Sequence, residues 1–178
     1  MSKGMSDNEF SKKECEAMQL DFFLPEYTFA TGHHLTYHPY CSRSEAPDFI
    51  CWDEAGPRIG IELTRLQIPP RYVEPLNDTD SGLSALSAVH NSCARKAGLG
   101  GKTILVLQVH DGFESLISEL CSVEPVEPNK FDEYGLMEIW LADYSKVEAF
   151  GSVELFCIAP THLYGHYIPS FDGCKPYG

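Results

Sequence analysis

The chain has 178 residues, 43% of them hydrophobic and 22% charged, with 26 acidic against 13 basic side chains. Those values describe one globular domain with a sizeable core and exclude a disordered chain. The net charge of −13 repels phosphate backbones and anionic lipid, which disfavours broad nucleic-acid or membrane binding; a small cleft that takes nucleic acid locally through metal ions is still allowed.

Residues 8–24 are expected to form a first helix, with Phe10, Ala17, Met18, Leu20 and Leu24 on one face at about 100° per residue. Pro25 is expected to end it. HLTYH at 34–38 fits a short strand between Gly32 and Pro39, and Ser42 to Pro47 fits a loop. PDFICWD (47–53) and RIGIELTRL (58–66) flank Glu54-Ala55-Gly56-Pro57, a β-hairpin pattern. Ile59, Ile61 and Leu63 point one way from the second strand, and Gly60, Glu62 and Thr64 the other. The three-proline stretch 67–80 is too long for a routine connection.

A second helix is predicted over 81–97, its apolar stripe Leu83, Leu86, Val89, Cys93, Ala94 and Ala97, its cap Asp80 or Ser81, and its stop Gly98. TILVLQV (103–109) has the continuous apolar character of a strand buried on both faces. Residues 112–122 follow as a third helix with Phe113, Leu116, Ile117, Leu120 and Cys121 at helical spacing. LMEIWLAD (136–143) and VELFCIAP (153–160) are strand-like, and the tail 161–178 has no period. The expected fold is a single α/β domain, a mixed central β-sheet flanked by helices.

Seven cysteines without a CxxC pair give neither a disulfide framework nor a zinc ribbon. Cys51, Cys93, Cys121 and Cys157 are expected to act as small core hydrophobes. The N-terminal residues lack a signal peptide's apolar region, and no run approaches the ~18 apolar residues of a membrane span. A cytoplasmic chain with free thiols and no membrane partner is the expectation.

The chemistry concentrates in PDFICWDEAGPRIGIELTRL. Glu62 and Thr64 share a face of their strand, and hairpin pairing sets Asp48 nearly opposite Glu62 or Thr64 with Cβ atoms ~5 Å apart. Two carboxylates that close on a buried face repel unless neutralised. Mg²⁺ (or Mn²⁺) does this, taking one or two protein carboxylates and completing its shell with water and phosphate oxygens. The bland alternative is a turn aspartate before one strand and a solvent-facing glutamate on the next.

Pro47-Asp48, followed fourteen residues later by Glu62-Leu63-Thr64 on the adjacent strand, resembles the PD-(D/E)xK motif of the restriction-endonuclease-like nuclease superfamily. The element order over residues 8–109 is similar to that family's αβββαβ core, leaving a C-terminal αββ extension over 110–160. The resemblance implies a hydrolase in which Asp48 and Glu62 bind Mg²⁺ that activates water for attack on a phosphodiester. A first-helix glutamate often completes the metal site in that family. Glu14 is the candidate here, because it projects toward Phe10, Ala17 and Met18 while Glu16 points away. Where the family has lysine this chain has Thr64, which supplies no positive charge. Lys96, flanking the second helix's stripe, is the candidate substitute, and Lys102 is a weaker one. The alternative is a catalytically inactive module of the same fold, acting through protein–protein contacts. Oligomeric state is left open.

Other signals are weaker. His34 and His38 lie ~13 Å apart on a strand, too far to share one zinc with His33 or Cys41. His90 fits a packed histidine, and Trp52 and Trp140 fit core or sheet-edge aromatics. The glycines at 98, 100 and 101 follow a helix and precede a strand, the reverse of a phosphate-binding loop.

Overall fold

A computed structural model describes residues 7–38, 47–67, 81–122 and 129–169. Helix α1 (Asp7–Thr31) leads into strands β1 (Leu35–Tyr37), β2 (Phe49–Asp53) and β3 (Arg58–Arg65). Helix α2 (Ser81–Lys96) and a 3₁₀ turn (Ala97–Leu99) return the chain to β4 (Thr103–Val109). Beyond it come α3 (Phe113–Ser122), α4 (Asn129–Asp132), β5 (Glu138–Asp143), α5 (Val147–Phe150), β6 (Glu154–Ala159), a second 3₁₀ turn (Thr161–Leu163) and β7 (Gly165–Tyr167). Among the described residues seven strands form one mixed sheet in chain order. β3, β4 and β5 are parallel neighbours, and the outer pairs are antiparallel.

Two apolar layers sandwich the sheet. Leu20, Phe23 and Tyr27 of α1 pack with Ile61, Ile104, Val106 and Trp140 on one face. Val89 and Cys93 of α2 and Leu116 and Leu120 of α3 pack with Leu105, Leu107 and Leu141 on the other. β4 is buried throughout, as its unbroken apolar run predicts. The fold is therefore α/β with a mixed sheet between helices. The hairpin turn falls at Glu54–Pro57, where the Gly56 N–H donates to the Asp53 carbonyl (3.0 Å) at φ +116°.

Several expectations are corrected. Pro25 does not end α1, which runs six residues further. An interior proline costs ~3 kcal/mol, but Pro25 sits on the exposed side and the turn beyond it is anchored. Tyr27, 1% exposed, packs its ring on Phe23 and Trp140 (centroids 5.5 and 5.7 Å). Its hydroxyl donates to Glu138 (3.1 Å). Burial of such a side chain is worth ~1.5–3 kcal/mol and a hydrogen bond to a carboxylate about 1.5–3 kcal/mol more, enough together to offset the local break. Gly32, at φ +76°, closes the helix by donating to Thr28 (2.8 Å).

The core-facing side of α1 is set by Leu20, Phe23 and Tyr27, so Met18, expected inside, is 55% exposed. Ala94 and Cys121 are likewise exposed. The tail expected to be irregular contributes β7, too short for a period-2 pattern, whose Tyr167 ring packs on Trp140 (5.5 Å). Cys51, Cys93 and Cys157 are buried, and burial raises the Cys51 and Cys93 thiols to about 12. The side chains of Phe10 and Leu83, the cap at Asp80 or Ser81, Cys41, and the segments 68–80 and 170–178 lie outside the described residues. Among the described residues no helix is long and apolar enough to cross a membrane.

Glu138 is the buried carboxylate on the α1 face. Burial pushes its pKa above 4.5, against the hydrogen bonds that Trp140 (2.6 Å) and Tyr27 (3.1 Å) donate to it. A carboxyl whose folded pKa exceeds its unfolded value stabilises most below the unfolded pKa and loses that contribution as pH rises through the folded value. The stability advantage of the wild type over Glu138→Gln is therefore expected to shrink as pH rises above about 4.5, as read by urea denaturation. Tyr27→Phe, which strips a donor from Glu138, is expected to cost about 1–3 kcal/mol in the same assay.

Candidate metal and phosphodiester site

The hairpin register builds the site. Phe49 pairs with Ile61 and Ile50 with Gly60, so Asp48, one residue before β2, falls opposite Glu62. The two are tied both ways. The Asp48 backbone N–H donates to Glu62 Oε2 (3.1 Å), and the Leu63 backbone N–H donates to Asp48 Oδ2 (2.9 Å). β2 begins only at Phe49, so Leu63 has no ladder partner there and the aspartate side chain takes its donor.

Pro47 is held by a glycine. A Cβ at Gly60 would lie 2.6 Å from Pro47 Cγ, and 3.2 Å from Thr103 Oγ1. Gly60 thus lets the proline ring lie against β3 and fixes the approach of Asp48.

Both carboxylates are withdrawn from water, Asp48 at 9% and Glu62 at 3% exposure. Burial raises the Asp48 pKa, against the Leu63 hydrogen bond; Glu62 and Glu16 raise it further and Lys13 opposes them.

Two helices bring cations. Lys96, at the last residue of α2, donates to Glu62 Oε1 from a side chain 31% exposed. From α1, Lys13 Nζ lies 3.9 Å from Asp48 Oδ1 and 3.2 Å from Glu16 Oε2. Glu16 Oε2 is buried without an aligned hydrogen bond.

The structure thus brings Asp48, Glu62 and Lys96 together, three residues that the sequence marks as candidates. Glu14 is not among them. It is exposed, and Glu16 is the α1 carboxylate at the site. The reason is the one that exposes Met18: with the inward face set by Leu20, Phe23 and Tyr27, Glu16 stands one turn before Leu20 on that side. Helical phase carried past Pro25 would have found it. Thr64 is half-buried on β3 beside Leu107 of β4, and Lys102 is exposed. Lys13 was marked by no motif, since a lysine near a helix start looks like a solvated residue. His90 is packed as expected, stacked on Phe131 (4.6 Å) and bonded to the Tyr134 hydroxyl (2.7 Å).

The donors are carboxylate oxygens, which suit Mg²⁺ or Mn²⁺ over zinc; Glu16 Oε2 makes no aligned hydrogen bond and has the Lys13 ammonium as its counter-charge. Among the described residues no three His, Cys, Asp or Glu side chains form a ready metal cage. An ion here would keep several waters, as Mg²⁺ ordinarily does. Comparison of the chain with protein-family models, curated proteins and solved structures gives no match.

Gly60→Ala is expected to push Pro47 off β3 and loosen Asp48. Overpacking of this kind costs about 1–3 kcal/mol, measurable by denaturation.

Proposed function

We propose that this chain is a divalent-metal-dependent phosphodiesterase of the restriction-endonuclease-like kind, acting on nucleic acid at a local site. One observation carries the reading: Lys96 reaches Glu62 from α2, beside Asp48, where the motif lysine is replaced by Thr64. Asp48 and Glu62 would hold Mg²⁺ or Mn²⁺ with help from Glu16. When bound, the ion supplies Lewis acidity and an acidified water.

The chain's own groups do the rest. The Leu63 N–H orients Asp48, and the Asp48 N–H orients Glu62. Lys96 holds a positive charge beside the carboxylate pair, available to charge developing on a phosphoryl oxygen. Its place on a helix end, not on β3, frees position 64 to be neutral.

A second reading has its own support. Each oxygen of Asp48 and Glu62 already faces a protein N–H or ammonium group. That self-neutralised state suits a module that has kept the scaffold and acts through protein–protein contacts.

Calorimetry with Mg²⁺ and a cleavage assay on DNA and RNA separate the two. The catalytic reading expects millimolar-range metal binding and metal-dependent cleavage that Asp48→Ala and Glu62→Ala abolish. Lys96→Met is expected to lower the cleavage rate by about 10²–10³-fold, the loss typical of one electrostatic group at a transition state, and Glu14→Ala to leave it unchanged. Absence of both metal binding and cleavage in the wild type would leave the non-catalytic module.

A further inference from the structure

The Lys13 ammonium lies between two carboxylates from different elements. It is 3.2 Å from Glu16 Oε2 on its own helix and 3.9 Å from Asp48 Oδ1 before β2. Those oxygens are two of the set on which a divalent ion would draw: the first lacks an aligned hydrogen bond, and the second belongs to the carboxylate whose other oxygen accepts from Leu63. Lys96 is engaged differently: it holds Glu62, and its helix end is packed against the sheet through Cys93 and Val89. The Lys13 side chain is 47% exposed, so it can swing into water without disturbing the core. An exposed lysine held by two carboxylates at 3.2 and 3.9 Å is a weak, displaceable ligand.

We infer that Lys13 is a tethered counter-cation that occupies the metal position between Glu16 and Asp48 and is displaced when a divalent ion binds, so that it sets the metal affinity of the site. This rests on the metal-dependent reading above. In the metal-free protein Lys13 limits repulsion among Glu16, Asp48 and Glu62, all partly or fully buried. In the loaded protein the ion does so, and the ammonium is released. Lys13 therefore competes with the ion, and its removal tightens binding while weakening the metal-free fold.

The test is calorimetric titration of the full chain with Mn²⁺, for wild type, Lys13→Met and Lys12→Met, with melting temperatures in EDTA and in excess Mn²⁺. Lys12 is the control because it removes the same charge one residue away; its amine pairs with Glu16 Oε1 at 3.6 Å from a side chain 77% exposed. Lys13→Met is expected to bind Mn²⁺ roughly two- to fivefold more tightly than wild type, the worth of an exposed ion pair expressed as affinity. It is also expected to melt lower in EDTA and to gain more than wild type on adding metal. Lys12→Met should shift less on both readouts. A Lys13→Met affinity equal to or weaker than that of wild type, or no tighter than that of Lys12→Met, overturns the inference and leaves the metal-dependent reading standing. No Mn²⁺ binding by wild type or Lys13→Met overturns both.

Discussion

The register of the β2–β3 hairpin is the constraint on which the rest of the site depends. With Phe49 opposite Ile61, Phe49, Cys51, Ile59 and Ile61 enter the apolar layer under α1, and Asp48 falls beside Glu62. A slip of one residue would exchange the faces, sending Ile61 away from Trp140 and Glu62 into the apolar layer under α1. The turn at Glu54–Pro57 and the close seat of Pro47 on Gly60 guard against that slip from the two ends of the hairpin. The same few contacts therefore secure the core and juxtapose the carboxylates, and a substitution that loosens one loosens the other.

Juxtaposition has an electrostatic consequence. Two buried carboxylates cannot stay charged together without donors and counter-ions. The fold supplies both: two backbone N–H groups along the strands, and two ammonium groups from helices on opposite faces of the sheet. Helix α1 is thus part of the site as well as of the core, since Leu20, Phe23 and Tyr27 fix the rotation that aims Glu16 and Lys13 at Asp48. The anchor beyond Pro25, where Tyr27 meets Glu138 and Trp140, holds the far end of the same lever.

What the sequence made legible follows from which forces are local. The hairpin, the buried β4 run and the α2 stripe were readable because turn chemistry and hydrophobic period act over a few residues. Asp48 and Glu62 were readable because hairpin pairing is nearly determined by loop length. Lys96 was readable as a residue on the flank of a stripe that faces the sheet. The length of α1 was not, because the packing that outweighs Pro25 comes from Trp140 and Glu138, more than a hundred positions away. That miss carried a second one with it, choosing Glu14 over Glu16 by taking helical phase from too short a segment. β7 escaped because three residues paired to an edge leave no period to detect.

The chain's excess of acid looks at first like an argument against a phosphodiester partner. The balance at the site is different. Asp48, Glu62 and Glu16 are met there by Lys12, Lys13 and Lys96, so three carboxylates face three ammonium groups and the local charge is far smaller than the −13 of the whole chain. At physiological salt the remaining acidic surface acts over a Debye length of about 8 Å, so it opposes a long duplex tracking across the molecule far more than a single phosphate entering this cluster. The net charge thus bears on how much of a nucleic acid such a site could contact. It does not bear on whether the site could take a phosphate at all.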